Sequence, residues 1–172
     1  MNRSSFAFIF EAMFFSTTVT MEDGTQLTEE DLIQRLDQDL ISYSFDNCNQ
    51  YDELMCLSVT TESSKYETAI QWIRRLLWSS KNTTNKLQNR IALIKQSIPE
   101  NLRDAFSTMS DVQSEELYTD RLTERASGSR RIIQWIPGFE RQLKRDGPGV
   151  IKQLESLRAI CAYLGRLYSL HY

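Results

Sequence analysis

The stretch ISYSFDNCNQYDELMCLSVT, residues 41–60, decides the fold class. Ile41, Tyr43 and Phe45 alternate with Ser42 and Ser44, and Met55, Leu57 and Val59 repeat the alternation beyond the polar DNCNQ, residues 46–50. A period of two places successive side chains on opposite faces of a strand, so the two runs predict a β-hairpin with one buried face. Every other periodic segment of the chain is helical. The combination predicts an α+β fold: a small antiparallel or mixed sheet covered by several helices, with a helix-rich C-terminal half.

Upstream, Phe6, Ile9, Phe10, Met13 and Phe14 recur at helical spacing and predict a buried helix at the start of the chain. Asp23-Gly24 marks a turn, and Thr28, three residues before Asp31, caps a helix predicted to run to about Leu40 with Leu32, Ile33, Leu36 and Leu40 on its apolar side. Downstream, Ser64 and Glu67 spell a capping box, and Tyr66, Ala69, Ile70, Ile73, Leu76 and Leu77 form the stripe of a helix over about 64–79. After the polar SSKNTTN, residues 79–85, the positions Leu87, Ile91, Ile94, Ile98, Leu102, Ala105 or Phe106, Met109 and Val112 keep phase straight through Pro99. A proline inside a helix costs about 3 kcal/mol unless the backbone bends. A kink or short break is therefore predicted near residue 98. Further helices are predicted over about 115–134 and, after DGPG, over about 149–165.

The 172 residues suit one domain spanning 1–172, and 41% hydrophobic with 25% charged residues fits a folded chain. With 20 basic and 23 acidic side chains the net charge is −3, so no global positive field draws the chain to phosphate or anionic lipid. Cys48, Cys56 and Cys161 include no CxxC pair, which points to reduced thiols in the cytoplasm or an organelle matrix. The apolar FAFIFEAMFF, residues 6–15, follows Arg3, yet Glu11 interrupts it and no small-residue cleavage site follows. It reads as a core helix, and no apolar run approaches the roughly 20 residues that cross a bilayer. The sequons at Asn2 and Asn82 have no force without secretion.

No residue qualifies as catalytic, cofactor-binding or metal-ligating. His171 is the only histidine, one residue from the end, and neither HExxH nor HxxEH occurs. Cys48 and Cys56 lack an activating base, and the six glycines form no phosphate-cradling loop. The pairs Glu29-Glu30 and Glu115-Glu116 read as helix-surface charges. Residues 121–145 carry seven arginines and lysines against two glutamates, with Trp135 and Phe139 available to stack on bases. Ile132, Ile133 and Ile136 beside Trp135 instead indicate burial, and IPG, residues 136–138, is expected to stop a helix and turn the chain. Neither a nucleic-acid partner nor a membrane is expected.

The ordered pieces FAFIFEAMFFSTTVT (6–20), DGTQLTEEDLIQRL (23–36), SVTTESSKYETAIQWIRRLLWSS (58–80), LIKQSIPENLRD (93–104) and RASGSRRIIQWIPGFERQLKRDGPGVIKQLESLRAI (125–160) resemble the peptidase-associated middle domain of inverzincin zinc metallopeptidases. The likeness is to the pitrilysin, insulysin and presequence-protease type, covers about residues 4–160, and lies in the order and spacing of the pieces. The resemblance implies one of four related α+β domains that close as a clamshell around an unfolded peptide. It places the zinc and its HxxEH motif in a different domain, so the implied partners are the remaining domains of the parent peptidase and its peptide substrate. The implied setting is the cytoplasm, alternatively the mitochondrial matrix. Family members have strands before the first helix and a return strand after the last, so the expectation is a truncated domain whose hairpin, residues 41–61, exposes a backbone edge and an apolar face. A rival expectation is an independent interaction module docking through Phe6, Phe10, Phe14, Trp72, Trp78 and Trp135.

Overall fold

A computed structural model describes residues 3–47, 55–117 and 128–164. Along the chain come α1 (Arg3–Met13), β1 (Thr18–Thr20), β2 (Gln26–Leu27), α2 (Glu29–Asp39), β3 (Ser42–Asn47) and β4 (Met55–Thr60). A 3-10 turn (Ser63–Lys65) leads to α3 (Tyr66–Trp78), β5 (Ser80–Lys81), α4 (Thr84–Arg103), α5 (Ala105–Leu117), α6 (Ser129–Arg145) and α7 (Gly147–Leu164). The chain is mixed α+β and helix-rich.

The hairpin forms in the register that its alternation demands. Tyr43 faces Val59 and Phe45 faces Leu57, all on one side of the β3-β4 ladder. Phe45 is buried, stacked on Phe14 with ring centroids 3.7 Å apart, and Tyr43 meets Phe15 edge-on at 5.0 Å. Phe10 closes the cluster at 5.4 Å from Phe45. The apolar face expected to be exposed is thus covered by α1 and the residues after it. Each strand has a single β partner among the described residues, so the outer edges remain unpaired. Ile41 lies before the strand and is 67% exposed, off the buried face to which the alternation assigned it. Its N–H still donates to the Thr60 carbonyl at 2.9 Å, and that bond starts the ladder.

A second sheet, in the order β2-β1-β5, was not legible beforehand. Its strands are two or three residues long, too short for alternation to register. The turn between β1 and β2 was legible: Gly24 adopts φ +82°, a left-handed conformation that a Cβ strains, and its N–H donates to the Met21 carbonyl. Val19 pairs with Leu27 on one side and Ser80 on the other.

Thr28 caps α2 as expected, accepting from the Asp31 N–H at 3.2 Å while the Asp31 carboxylate receives the Thr28 N–H at 3.3 Å. Leu32, Leu36 and Leu40 are buried, and Ile33 is 38% exposed. The capping box expected at Ser64 and Glu67 does not form. Ser64 lies inside the 3-10 turn and its hydroxyl donates to Glu62, so α3 begins at Tyr66 without a side-chain cap. The entry to α3 is held from α2 instead: Lys65 Nζ donates to the Gln38 carbonyl at 2.9 Å, and Trp72 Nε1 donates to Asp39 Oδ2 at 2.7 Å.

Neither helix breaks at its proline. α4 runs through Pro99 to Arg103 and stops at Asp104, which receives the Ser107 N–H at 2.8 Å and opens α5. α6 runs through Pro137 and Gly138 to Arg145. Both prolines lie at exposed positions, as do Lys95 and Ile133, whose carbonyls lose their helical donor to the missing proline N–H. The helix expected over 115–134 is not one element. α5 holds its start, residues 118–127 fall outside the described region, and α6 begins at Ser129 after an extended Gly128. The Ser129 N–H is met at 2.9 Å by Asp111 Oδ2 from α5.

α7 begins at Gly147, two residues earlier than expected, because Asp146 caps it through Gly149 N–H at 2.9 Å. Pro148 falls in the first turn, where a missing N–H is harmless. A Cβ on Gly149 would collide with the Asp146 carboxylate, so the cap requires glycine there. α7 continues helical to Leu164 in the stretch where the family pattern has a return strand. α4 lies along α6, α3 against α7, and α1 contacts α4, α7 and β3. Trp72, Phe10, Phe14 and Phe139 are the largest side chains at the centre.

Candidate functional site

No group of three or more His, Cys, Asp or Glu able to hold a metal ion occurs among the described residues. His171 and Cys48 lie outside them. Cys56 is an exposed free thiol; Cys161 is a half-buried one whose pKa burial pushes up, which makes it a poorer nucleophile. Glu29 and Glu30 occupy the first turn of α2, where the helix dipole favours acids, and Glu29 receives the Ser16 hydroxyl at 2.7 Å. Glu115 and Glu116 fall in the last turn of α5.

The basic stretch divides by face. Ile132, Ile136, Phe139 and Leu143 are buried on α6, whereas Arg130, Arg141, Lys144 and Arg145 are exposed. Ile133, expected inside, is on the exposed side. Trp135 is half-buried, edge-on to Phe8 at 5.9 Å and to Phe139 at 6.2 Å, so its ring has a packing role. Most of the aromatic face proposed for docking turns inward. Phe10, Phe14 and Trp72 are buried and Phe6 is partly buried; only Trp78 stands out, 61% exposed.

Trp78 marks a place where the described surface gathers charged and aromatic side chains. An open groove of about 660 Å³ lies where the end of α3 meets the end of β1 and β5, with Arg74, Arg75 and Lys81 on its walls beside Glu22, Gln71 and Trp78. Helix geometry assembles it. Gln71, Arg74, Arg75 and Trp78 follow at three- and four-residue steps, while Leu76 and Trp72 take the buried side. Two of the last four carbonyls of α3 have donors: the Arg75 carbonyl accepts from Ser79 N at 2.9 Å, and the Leu76 carbonyl accepts from Ser80 Oγ at 2.6 Å.

Arg75 is held from below and under-satisfied above. Its guanidinium lies over the Trp72 ring, 5.1 Å from the centroid, and donates to Gln71 Oε1 at 3.3 Å. Its ion pair with Glu22 spans 3.7 Å, and that glutamate side chain is 85% exposed. Arg75 Nε is buried without an acceptor among the described residues. No single sequence motif joins these residues, which come from a turn, a helix and a two-residue strand.

Two further ionisable groups lie in or against the core, one buried and one half-buried. Arg158 is 4% exposed, its guanidinium nitrogens have no hydrogen-bond partner among the described residues, and it lies 6.0 and 5.6 Å from the Phe10 and Phe14 ring centroids. Burial pulls its pKa down to about 10. The stepping of Val150, Leu154 and Arg158 by fours was the available signal. Glu11, in α1, is pushed from 4.5 to about 7, chiefly by burial and secondly by the charge of Asp46 on β3.

No helix among the described residues is long and apolar enough to cross a membrane. No family model, no curated protein and no solved structure matches the chain.

Proposed function

We propose that this chain is a non-catalytic structural domain of an intracellular zinc metalloendopeptidase that degrades peptides inside a clamshell chamber, and that it is inactive alone. The observation carrying this reading is the ordered run of sequence pieces over about residues 4–160: aromatic helix, Asp-Gly turn and capped helix, strand into amphipathic helix, and the Trp-Ile-Pro-Gly helix. An α+β fold with short antiparallel strands is compatible with it. The zinc belongs, on this reading, to an HxxEH motif on another domain, a motif this sequence lacks. Exposed apolar side chains on the helices, Phe106, Met109 and Ile160 among them, supply surface for neighbouring domains to cover. Free thiols at Cys56 and Cys161 suit a reducing compartment, the cytoplasm or alternatively the mitochondrial matrix.

Incubating the purified chain with zinc and an unstructured peptide tests the reading. No chelator-sensitive cleavage is expected, and turnover is expected only with a polypeptide that supplies HxxEH. Chelator-sensitive hydrolysis by the lone chain overturns it. A second reading, an independent interaction module, is favoured by the exposure of Trp78 and Phe106. Cooperative unfolding as a monomer supports the module; aggregation or molten behaviour supports a domain dependent on its neighbours.

A further inference from the structure

We propose that the groove at the end of α3 docks an extended acidic polypeptide segment, with Arg74 and Arg75 holding a carboxylate and Trp78 carrying the adjacent apolar side chain. The inference is independent of the peptidase reading.

Three cations, Arg74, Arg75 and Lys81, line a groove whose only carboxylate among the described residues is Glu22, on a chain whose net charge is −3. The negative end of α3 helps to explain why cations gather there, yet a helix terminus carries only about half a charge and leaves the groove positive. Glu22 acts as a poor internal occupant. It reaches the Arg75 guanidinium only at 3.7 Å, beyond a good hydrogen bond, from a mostly exposed side chain. A ligand carboxylate approaching to hydrogen-bond distance would displace it.

Arg75 is already oriented for that exchange by the Trp72 ring and Gln71, so little side-chain freedom remains to be lost. Trp78 adds an apolar platform on the same wall. Three cations suit one or two carboxylates on a peptide better than a nucleic-acid strand, which carries a phosphate at every nucleotide.

The test titrates the 172-residue chain with a labelled peptide bearing two glutamates beside a leucine, the same peptide with glutamines, and a single-stranded thymidine oligonucleotide. The acidic peptide is expected to bind about tenfold tighter than its glutamine counterpart, and Arg74→Gln or Arg75→Gln to remove about that factor. Glu22→Gln is expected to strengthen binding about threefold, since it removes the competing carboxylate. Arg75 packs on the core, so circular dichroism checks the fold of its variant. Arg74→Gln and Trp78→Ala alter exposed side chains and decide the matter if Arg75→Gln unfolds. Equal affinity for the two peptides, indifference to the Arg74 and Trp78 changes, or tighter binding of the oligonucleotide each overturns the proposal.

Discussion

Two stretches of one apolar stripe end in opposite environments. Leu87, Ile91 and Ile98 on α4 are buried, whereas Leu102, Phe106, Met109 and Val112, continuing at the same three- and four-residue steps into α5, lie at the surface, with Phe106 73% exposed. Periodicity fixes which side chains share a face. Whether that face is covered depends on what the topology places opposite. α6 lies along α4, while α5 gains the Asp111 contact to Ser129 without a covering layer over Phe106 among the described residues.

The sharpest way to break the contrast is to truncate one aromatic on each side. Phe14→Ala removes a ring stacked on Phe45 at zero exposure and is expected to lower stability by about 3–5 kcal/mol in denaturant unfolding. A loss below about 1 kcal/mol would show that the cluster does not hold the hairpin to α1.

Arg158 provides the next largest effect, in the other direction. A buried guanidinium with aromatic faces and no hydrogen-bond acceptor among the described residues carries an uncompensated desolvation cost, so Arg158→Met is expected to raise stability by about 1–3 kcal/mol. A loss instead would mean that cation–π attraction outweighs desolvation.

Glu11 sharpens the comparison through pH. Its pKa of about 7 in the fold exceeds the 4.5 of the open chain, so the native state holds the proton longer and gains stability fully present below pH 4.5. That contribution is lost as pH rises through 7. Glu11→Gln should flatten the stability profile between pH 4.5 and 7 and leave the variant more stable than the parent at pH 8; parallel profiles would show that Glu11 is not desolvated. The smallest effect is expected on α5, where Phe106→Ser should change monomer stability by less than about 0.5 kcal/mol.

Much of the fold was legible because it rests on local chemistry. The alternating faces of the hairpin strands, the Thr28 cap and the α1 stripe each follow from side chains within a few residues of one another. The failures share a non-local cause. Ser64 lost its capping role to a 3-10 turn tied to α2 through Lys65, and Pro137 sits inside α6 on an exposed face instead of ending the helix. β1, β2 and β5 exist through pairing across the chain rather than through their own residues. The groove was hidden for the same reason: Glu22, Arg75 and Lys81 are neighbours only after β1 has paired with β5. Arg158 was readable in principle, as the charged step of a buried stripe.

Pro137 is expected to give α6 two halves that open separately. With no N–H at 137, the backbone ladder lacks one rung between Ile133 and the turn that follows, so opening of the first turns need not propagate into the segment anchored by Phe139 and Leu143. Deuterium uptake should therefore divide this helix at the proline, the amides after Phe139 outlasting those near Ser129.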